Sequence, residues 1–327
     1  MKQAFIHSVA YHLPDNVLTN EDITRIFPEW SVDKIANKIG ISERHYTASD
    51  ETATDLAFCA AEKLFEQGVD KRMIDFILLC TQSPDYYLPS SACLLQSRLG
   101  LNKNCGALDF NLGCSGYEYG LALAKGLVVS GIANNVLLLT AETYTKYIHP
   151  QDKGNRTIFG DGATATLVST SGFAEIGDFV LGTDGSGAKE LIVKAGGARQ
   201  SLLNGTKATE ESDEHLYMNG GAIFDFSADV VPPMVQEVLQ KNNLLQEEID
   251  LFVLHQANKY MINYLRKLLE IPKERFYIYM DKVGNTVSST IPIALCEARK
   301  EGKLHGNILL AGFGVGLSWG ATILKIE

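Results

Sequence analysis

The strongest constraint on this chain is that it repeats itself. Ile74-Asp75-Phe76-Ile77-Leu78-Leu79-Cys80 is matched by Ile249-Asp250-Leu251-Phe252-Val253-Leu254-His255. Each is an apolar run of strand length that follows an amphipathic helical stretch and an acidic turn. Further along, Asn135-Val136-Leu137-Leu138-Leu139 pairs with Asn307-Ile308-Leu309-Leu310-Ala311, and Gly162-Ala163-Thr164 with Gly320-Ala321-Thr322, in the same order. A single match could arise by chance, but a conserved order across three pairs argues for two similar halves. Helical patterns over 55–67, 117–129, 226–240 and 291–300 alternate with the strands. Continuous apolar strands need cover on both faces. The pattern therefore predicts an α/β protein with halves 1–171 and 172–327, stacked as a five-layered α-β-α-β-α body. In such sheets ligands bind where strand ends and helix starts converge.

Composition narrows the functions such a body can have. With 327 residues, 46% of them hydrophobic, the chain can bury one large core or two mid-sized ones. No apolar run approaches the roughly eighteen residues a membrane span requires, and Pro14-Asp15 interrupts the N-terminal apolar stretch before a signal-peptide core forms. A cytoplasmic protein is expected. The formal net charge of −10 argues against non-specific binding to nucleic acid or anionic lipid. Any anionic substrate must then meet a local basic patch. The six cysteines, at 59, 80, 93, 105, 114 and 296, show neither CxxC nor His-paired metal spacing. Buried reduced thiols are expected for most of them.

One cysteine differs in setting. Residues 106–111 read as a strand, Gly113-Cys114-Ser115-Gly116 as a sharp turn, and Tyr117 to Ala124 as the opening of a helix. Flanking glycines allow the turn and the approach of a substrate, and unpaired N–H groups at a helix start favour thiolate over thiol. His255-Gln256-Ala257-Asn258 follows a buried strand of the second half, and Gly284-Asn285 lies in a loop before a helix. Alone, such a His is more often structural and such a Gly-Asn pair a plain turn. Here Asn285 occupies about the position in its half that Cys114 holds in the other, so the repeat brings both to one junction, which His255 also faces. The glycine-rich Gly312-Phe313-Gly314-Val315-Gly316 lacks the spacing of a dinucleotide or phosphate loop. Its glycines suit the entry of a thioester and an N–H aimed at its oxygen.

These segments closely resemble the β-ketoacyl-[acyl-carrier-protein] synthase III family of the thiolase superfamily. The Cys114 elbow, HQAN at 255–258, VGN at 283–285 and GFGVG at 312–316 occur in family order, as do IFGDGA at 158–163 and GISERH at 40–45. The resemblance spans essentially the whole chain. It implies a thiolase-fold homodimer in which Cys114 takes an acyl group from coenzyme A. His255 and Asn285 then assist decarboxylation of malonyl-[acyl-carrier protein] (malonyl-ACP), whose carbanion attacks the acyl-enzyme to give a 3-oxoacyl-ACP, CoA and CO2. An imidazole N–H and a carboxamide N–H can stabilise the thioester oxygen as charge develops, and the backbone N–H groups of Cys114 and Gly316 would form the oxyanion hole for acyl transfer. No cofactor is expected beyond the two substrates.

The resemblance also nominates binding residues. Lys153 stands where the family often has an arginine that contacts coenzyme A. Gly220 and Phe224 match positions lining the pantetheine tunnel, Asn258 matches a pantetheine contact, and Leu88 replaces a frequent phenylalanine gating the partner's acyl pocket. Trp30 lies four residues further from Gly40-Ile41 than the family's adenine-stacking tryptophan. Tyr260 aligns with the carrier-docking arginine, leaving Lys259, Arg266 and Lys267 as replacements. Thiolases proper need a second cysteine near the last glycine loop, which is absent. Plant-type polyketide synthases share the trio but are usually longer. Acyl transfer from Cys114 to a hydroxyl or amine without decarboxylation is the alternative, and a non-catalytic subunit is opposed by the complete trio.

Overall fold

A computed structural model describes residues 2–199 and 211–326. The chain opens with β1 (Phe5–His12), then β2 (Asn16–Thr19), α1 (Asn20–Ile26), α2 (Val32–Ile39) and β3 (Glu43–Tyr46), of which β2 and β3 pair as a separate ribbon. The first half continues through α3 (Ala53–Glu66), β4 (Phe76–Cys80), α4 (Ser91–Arg98), β5 (Gly106–Phe110) and α5 (Gly116–Val129). It closes with β6 (Asn135–Glu142), α6 (Lys153–Ile158) and β7 (Gly162–Ser169). The second half holds β8 (Ala174–Thr183), the short pair β9 (Leu191–Ile192) and β10 (Tyr217–Met218), then α7 (Gly220–Lys241) and β11 (Leu251–Leu254). It ends with α8 (Lys259–Leu268), α9 (Thr290–Lys300), β12 (Gly306–Gly314) and β13 (Ser318–Ile326).

The strand order makes the repeat explicit. One half runs β5-β4-β6-β7-β1 and the other β11-β12-β13-β8, joined where β1 pairs β8 at Phe5–Glu175 and Ile6–Ala174. The three sequence matches become β4 with β11, β6 with β12 and β7 with β13. A parallel bridge between Phe252 and Phe276 stands in the second half where β5 stands in the first.

Alternation along each strand divides its side chains between two helical layers. On β4, Ile77 and Leu79 face α3 and α4, packing with Leu56, Leu64 and Leu95. Leu78 turns the other way, to Tyr117 and Leu121 of α5 and Leu295 of α9. On β11, Leu251 and Val253 share that central layer, while Phe252 and Leu254 pack on α7 and α8 through Val235 and Leu265. Three helical layers thus enclose two sheet halves, giving the five-layered α/β body.

The main local departure is α7, which begins six residues before the expected 226. Asn219 caps it by accepting from Ala222 N at 3.2 Å, which offsets the low helix propensity of Gly220-Gly221. Among the described residues no helix is long and apolar enough to cross a membrane, and no cluster of potential metal ligands occurs. All six cysteines are free; Cys80, Cys114 and Cys296 are buried, Cys59 and Cys105 half-buried and Cys93 exposed. The expectation of mostly buried thiols therefore holds for only three of the six.

Candidate active site

Cys114 lies in the turn that carries the chain from β5 into α5, a turn closed by Gly116 N donating to Gly113 O at 2.8 Å. Ser115 precedes the helix without capping it. Its hydroxyl meets Ser318 Oγ at 2.7 Å, and Ser318 in turn donates to Val315 O at 2.8 Å. This chain of bonds ties the 315–318 loop to the turn that carries Cys114. Gly314 is where contact is closest: a Cβ there would stand 3.0 Å from Cys114 Sγ and 2.9 Å from its Cβ.

The second half supplies the facing wall. His255 emerges from β11, its backbone N donating to Ala311 O at 2.9 Å. Asn285 is held in a parallel bridge to Phe159, through Asn285 N to Ile158 O at 2.9 Å and Gly160 N to Asn285 O at 3.0 Å. The bend before it requires Gly284, at φ 78°, because a side chain there would press on Arg44 and Ile158 O. Asn285 Oδ1 accepts from Val287 N at 2.9 Å, so its Nδ2 turns toward His255 Nε2, 3.4 Å away.

Cys114, His255 and Asn285 line one cavity of ≈ 130 Å3, together with Phe159, Asn258 and Phe313. All three are buried. Phe313 sets its ring edge-on to the imidazole, with centroids 5.8 Å apart.

Thr290, at the start of α9, controls the imidazole. Its Oγ1 lies 2.8 Å from His255 Nδ1 and donates to Val287 O at 3.0 Å. A hydroxyl has one proton to give: turned to Val287 O, it leaves Nδ1 to supply the hydrogen of the first bond and Nε2 as an acceptor facing Asn285; turned to Nδ1, it leaves the ring proton on Nε2. Burial lowers the His255 pKa to about 3, and the ring is neutral. The sequence contains no distinctive signal for Thr290, since a threonine at a helix start reads as an ordinary cap.

Electrostatics at the cysteine run against the expectation from the helix terminus. Burial, then the Glu142 carboxyl, with a smaller contribution from Glu118, push the Cys114 thiol up to about 12. Burial also raises Glu142 to about 8 against the opposing bonds from Ser83 and Gln82, and holds Glu118 well above the usual carboxylate range. The resting pair is therefore a neutral thiol and a neutral imidazole with an open lone pair. The two groups share one cavity, in which the neutral imidazole offers a base for the thiol proton.

Of the nominated binding residues, Gly220 and Asn258 line the cavity. Asn258 also caps α8, accepting from Met261 N at 3.0 Å. Phe224 does not line it; its ring lies against Tyr260 and Tyr264, with centroids 5.7 and 4.8 Å away. Lys153 does not line the cavity; it is ion-paired with Glu29 and set over the Phe27 ring. Leu88 is 82% exposed on the outer surface of its own chain. Gly316, at φ 142°, lies two residues beyond the glycine that touches Cys114. Arg266 is committed to its own helix end, donating to Ile271 O at 2.7 Å, whereas Lys259 and Lys267 are exposed.

The profile for 3-oxoacyl-[acyl-carrier-protein (ACP)] synthase III matches residues 108–185, and that for its C-terminal region matches 239–326. A β-ketoacyl-[acyl-carrier-protein] synthase III of Clostridium perfringens is 39% identical to the chain over the whole length of both. Another, of Xanthomonas euvesicatoria, is 38% identical over 96% of this chain and 95% of its own. Among solved structures, a 3-oxoacyl-(acyl-carrier-protein) synthase III at 50% identity superposes with a TM-score of 0.94, covering 99% of this chain and 100% of the other. The Thermus thermophilus enzyme, at 36% identity, gives 0.89 with 99% of each chain covered.

Fold and relatives together define an acyl-transferring condensing enzyme with the thiolase fold. The chain belongs to the β-ketoacyl-[acyl-carrier-protein] synthase III family.

Proposed function

We propose that the chain catalyses decarboxylative condensation of an acyl-CoA primer with malonyl-ACP through an acyl-Cys114 intermediate. The observation that carries this reading is the convergence of Cys114, His255 and Asn285 from two repeated halves on one buried cavity. Acylation moves the Cys114 proton to His255 Nε2 and on to the departing CoA sulfur, which returns the imidazole to neutrality. The Cys114 N–H, with that of Gly316, stabilises the tetrahedral oxyanion. For the second half-reaction Asn285 Nδ2 and His255 Nε2–H donate to the malonyl thioester oxygen as CO2 leaves. That role requires the opposite tautomer: after CoA leaves, Nε2 takes a proton from water and the Nδ1 proton is released to water, and the Thr290 hydroxyl turns from Val287 O to donate to the freed Nδ1. The reaction needs no cofactor.

Gly220, Asn258 and Phe224 are assigned to the pantetheine path. Lys153 serves coenzyme A only after leaving Glu29. Lys259 and Lys267, exposed on α8, suit an acidic carrier protein. A homodimer is supported by the unpaired edge of β5 and by exposed Leu108, Tyr86, Tyr87 and Leu88. In that assembly Leu88 gates the partner's acyl pocket. Six free thiols fit a reducing cytoplasm.

Intact-mass analysis tests the reading. Exposure to a panel of acyl-CoAs should add one acyl mass to Cys114, and malonyl-ACP should then remove it with release of CO2. Adduct on another residue, or loss of the acyl group without CO2, would overturn it.

A further inference from the structure

A second cavity lies behind the wall of the first. It measures ≈ 520 Å3, and its lining includes Leu18, Arg44, Tyr46, Lys146, Arg156 and Phe159. Phe159 lines both cavities, and its ring also packs on Tyr144, with centroids 5.1 Å apart. The volume falls in the range of small-molecule sites.

The charge of the lining is one-sided. In a chain of net charge −10, this cavity carries two arginines and a lysine and no acid. Arg44 is buried, its two terminal nitrogens donating to Leu18 O, Asn20 Oδ1, Ile41 O and Thr157 O while its Nε finds no partner. Lys146 donates to two backbone carbonyls, Ser49 O at 3.1 Å and Glu51 O at 2.5 Å, so its charge is held in place without being neutralised. Arg156 has no ion pair among the described residues, and its Nε is buried and unpartnered. The Asp161 carboxylate is fully engaged by the backbone N–H and hydroxyl groups of Thr47 and Thr145, and Glu43 and Asp281, which act on Arg44, do not line the cavity. Leu18, Ile148, Phe159 and the Tyr46 ring supply the apolar part of the lining.

We propose that this cavity is a binding site, separate from the acyl cavity, for a small organic phosphate: the phosphate meets Arg156 and Lys146, and an apolar body lies against Leu18, Tyr46 and Phe159. Guanidinium groups pair with phosphate oxygens through parallel N–H donors, and the hydroxyls of Ser49 and Tyr46 add neutral donors at the rim. The phosphate belongs to a free metabolite; the rival source of the same chemistry, coenzyme A on its way to Cys114, is an outcome of the test.

Calorimetric titration of the intact protein with phenyl phosphate separates these sources. Saturable binding is expected, at least tenfold tighter than that of benzyl alcohol, which has a similar body and no charge. Saturating coenzyme A should leave it in place, because Phe159 divides the two cavities. Arg156→Gln should weaken phenyl phosphate at least tenfold while leaving the KM for acyl-CoA within twofold. Absence of saturable heat, equal affinity for benzyl alcohol, or unchanged affinity in Arg156→Gln would overturn the site. Displacement by coenzyme A would overturn it as well, assigning the cations to the primer path and leaving the condensation reading intact.

Discussion

Thr290 Oγ1 sits 2.8 Å from His255 Nδ1 and 3.0 Å from Val287 O, and this relationship couples the direction of one hydroxyl proton to the imidazole tautomer. The first prediction follows from it. Thr290→Val leaves Nδ1 buried without a partner, a loss of about 1–3 kcal/mol, so condensation should slow by roughly tenfold or more. Thr290→Ser should restore most of the rate. Nitrogen NMR shifts of His255 should show one dominant tautomer in the resting wild type and a mixture in Thr290→Val. An unchanged tautomer ratio would remove Thr290 from the account.

Alkylation kinetics test the state of the Cys114 thiol. With its pKa raised to about 12, Cys114 should react with iodoacetamide slowly at neutral pH, and the rate should climb with pH without a plateau below about 9. Glu142→Gln should accelerate labelling only above about pH 8, where the native carboxyl has lost its proton. A plateau at lower pH would mean that the α5 terminus outweighs burial and stabilises the thiolate.

Glu142 also carries a stability signature. Its folded pKa of about 8 lies above the ordinary value of 4.5, so between these pH values the folded state binds more protons than the unfolded state. By linkage its contribution to stability falls as pH rises through that window. Glu142→Gln should flatten this part of the pH–stability curve. The check is denaturant unfolding at several pH values; identical slopes in both proteins would show that Glu142 titrates normally.

The repeat was legible because apolar strands of matching order cannot hide in a sequence, and the three matched pairs became structurally equivalent strands. Cys114, His255 and Asn285 were legible because each ends a strand or opens a helix at equivalent points of the two halves. Other features depend on distances no linear pattern records. The Lys153 pairing with Glu29 joins segments over a hundred residues apart, and the cationic cavity draws on β2, β3 and the loops around α6. The thiol was misjudged for a related reason: the turn showed the helix start, but not the depth of burial or the carboxyls of Glu142 and Glu118 around it.

Leu88 tests the assembly. If the homodimer forms and Leu88 reaches the partner's pocket, Leu88→Phe should narrow that pocket and shift primer preference toward shorter acyl-CoAs. Sedimentation should show a dimer for both proteins. An active monomer, or an unchanged primer profile, would contradict the gate.

The central claim is that Asn285 serves decarboxylation and not the first acylation. Losing one preorganised oxyanion donor costs about 2.7–4 kcal/mol, roughly a hundred- to a thousandfold in rate. Asn285 Nδ2 meets His255 Nε2 at 3.4 Å but neither gives nor takes the thiol proton, so the two half-reactions should part. Rapid-quench measurement of both steps in Asn285→Ala decides the matter. The account predicts that CO2 release from malonyl-ACP nearly disappears while acylation of Cys114 falls far less; an equal loss in both steps, or none in either with the acyl group passing to an alcohol or amine, would contradict it.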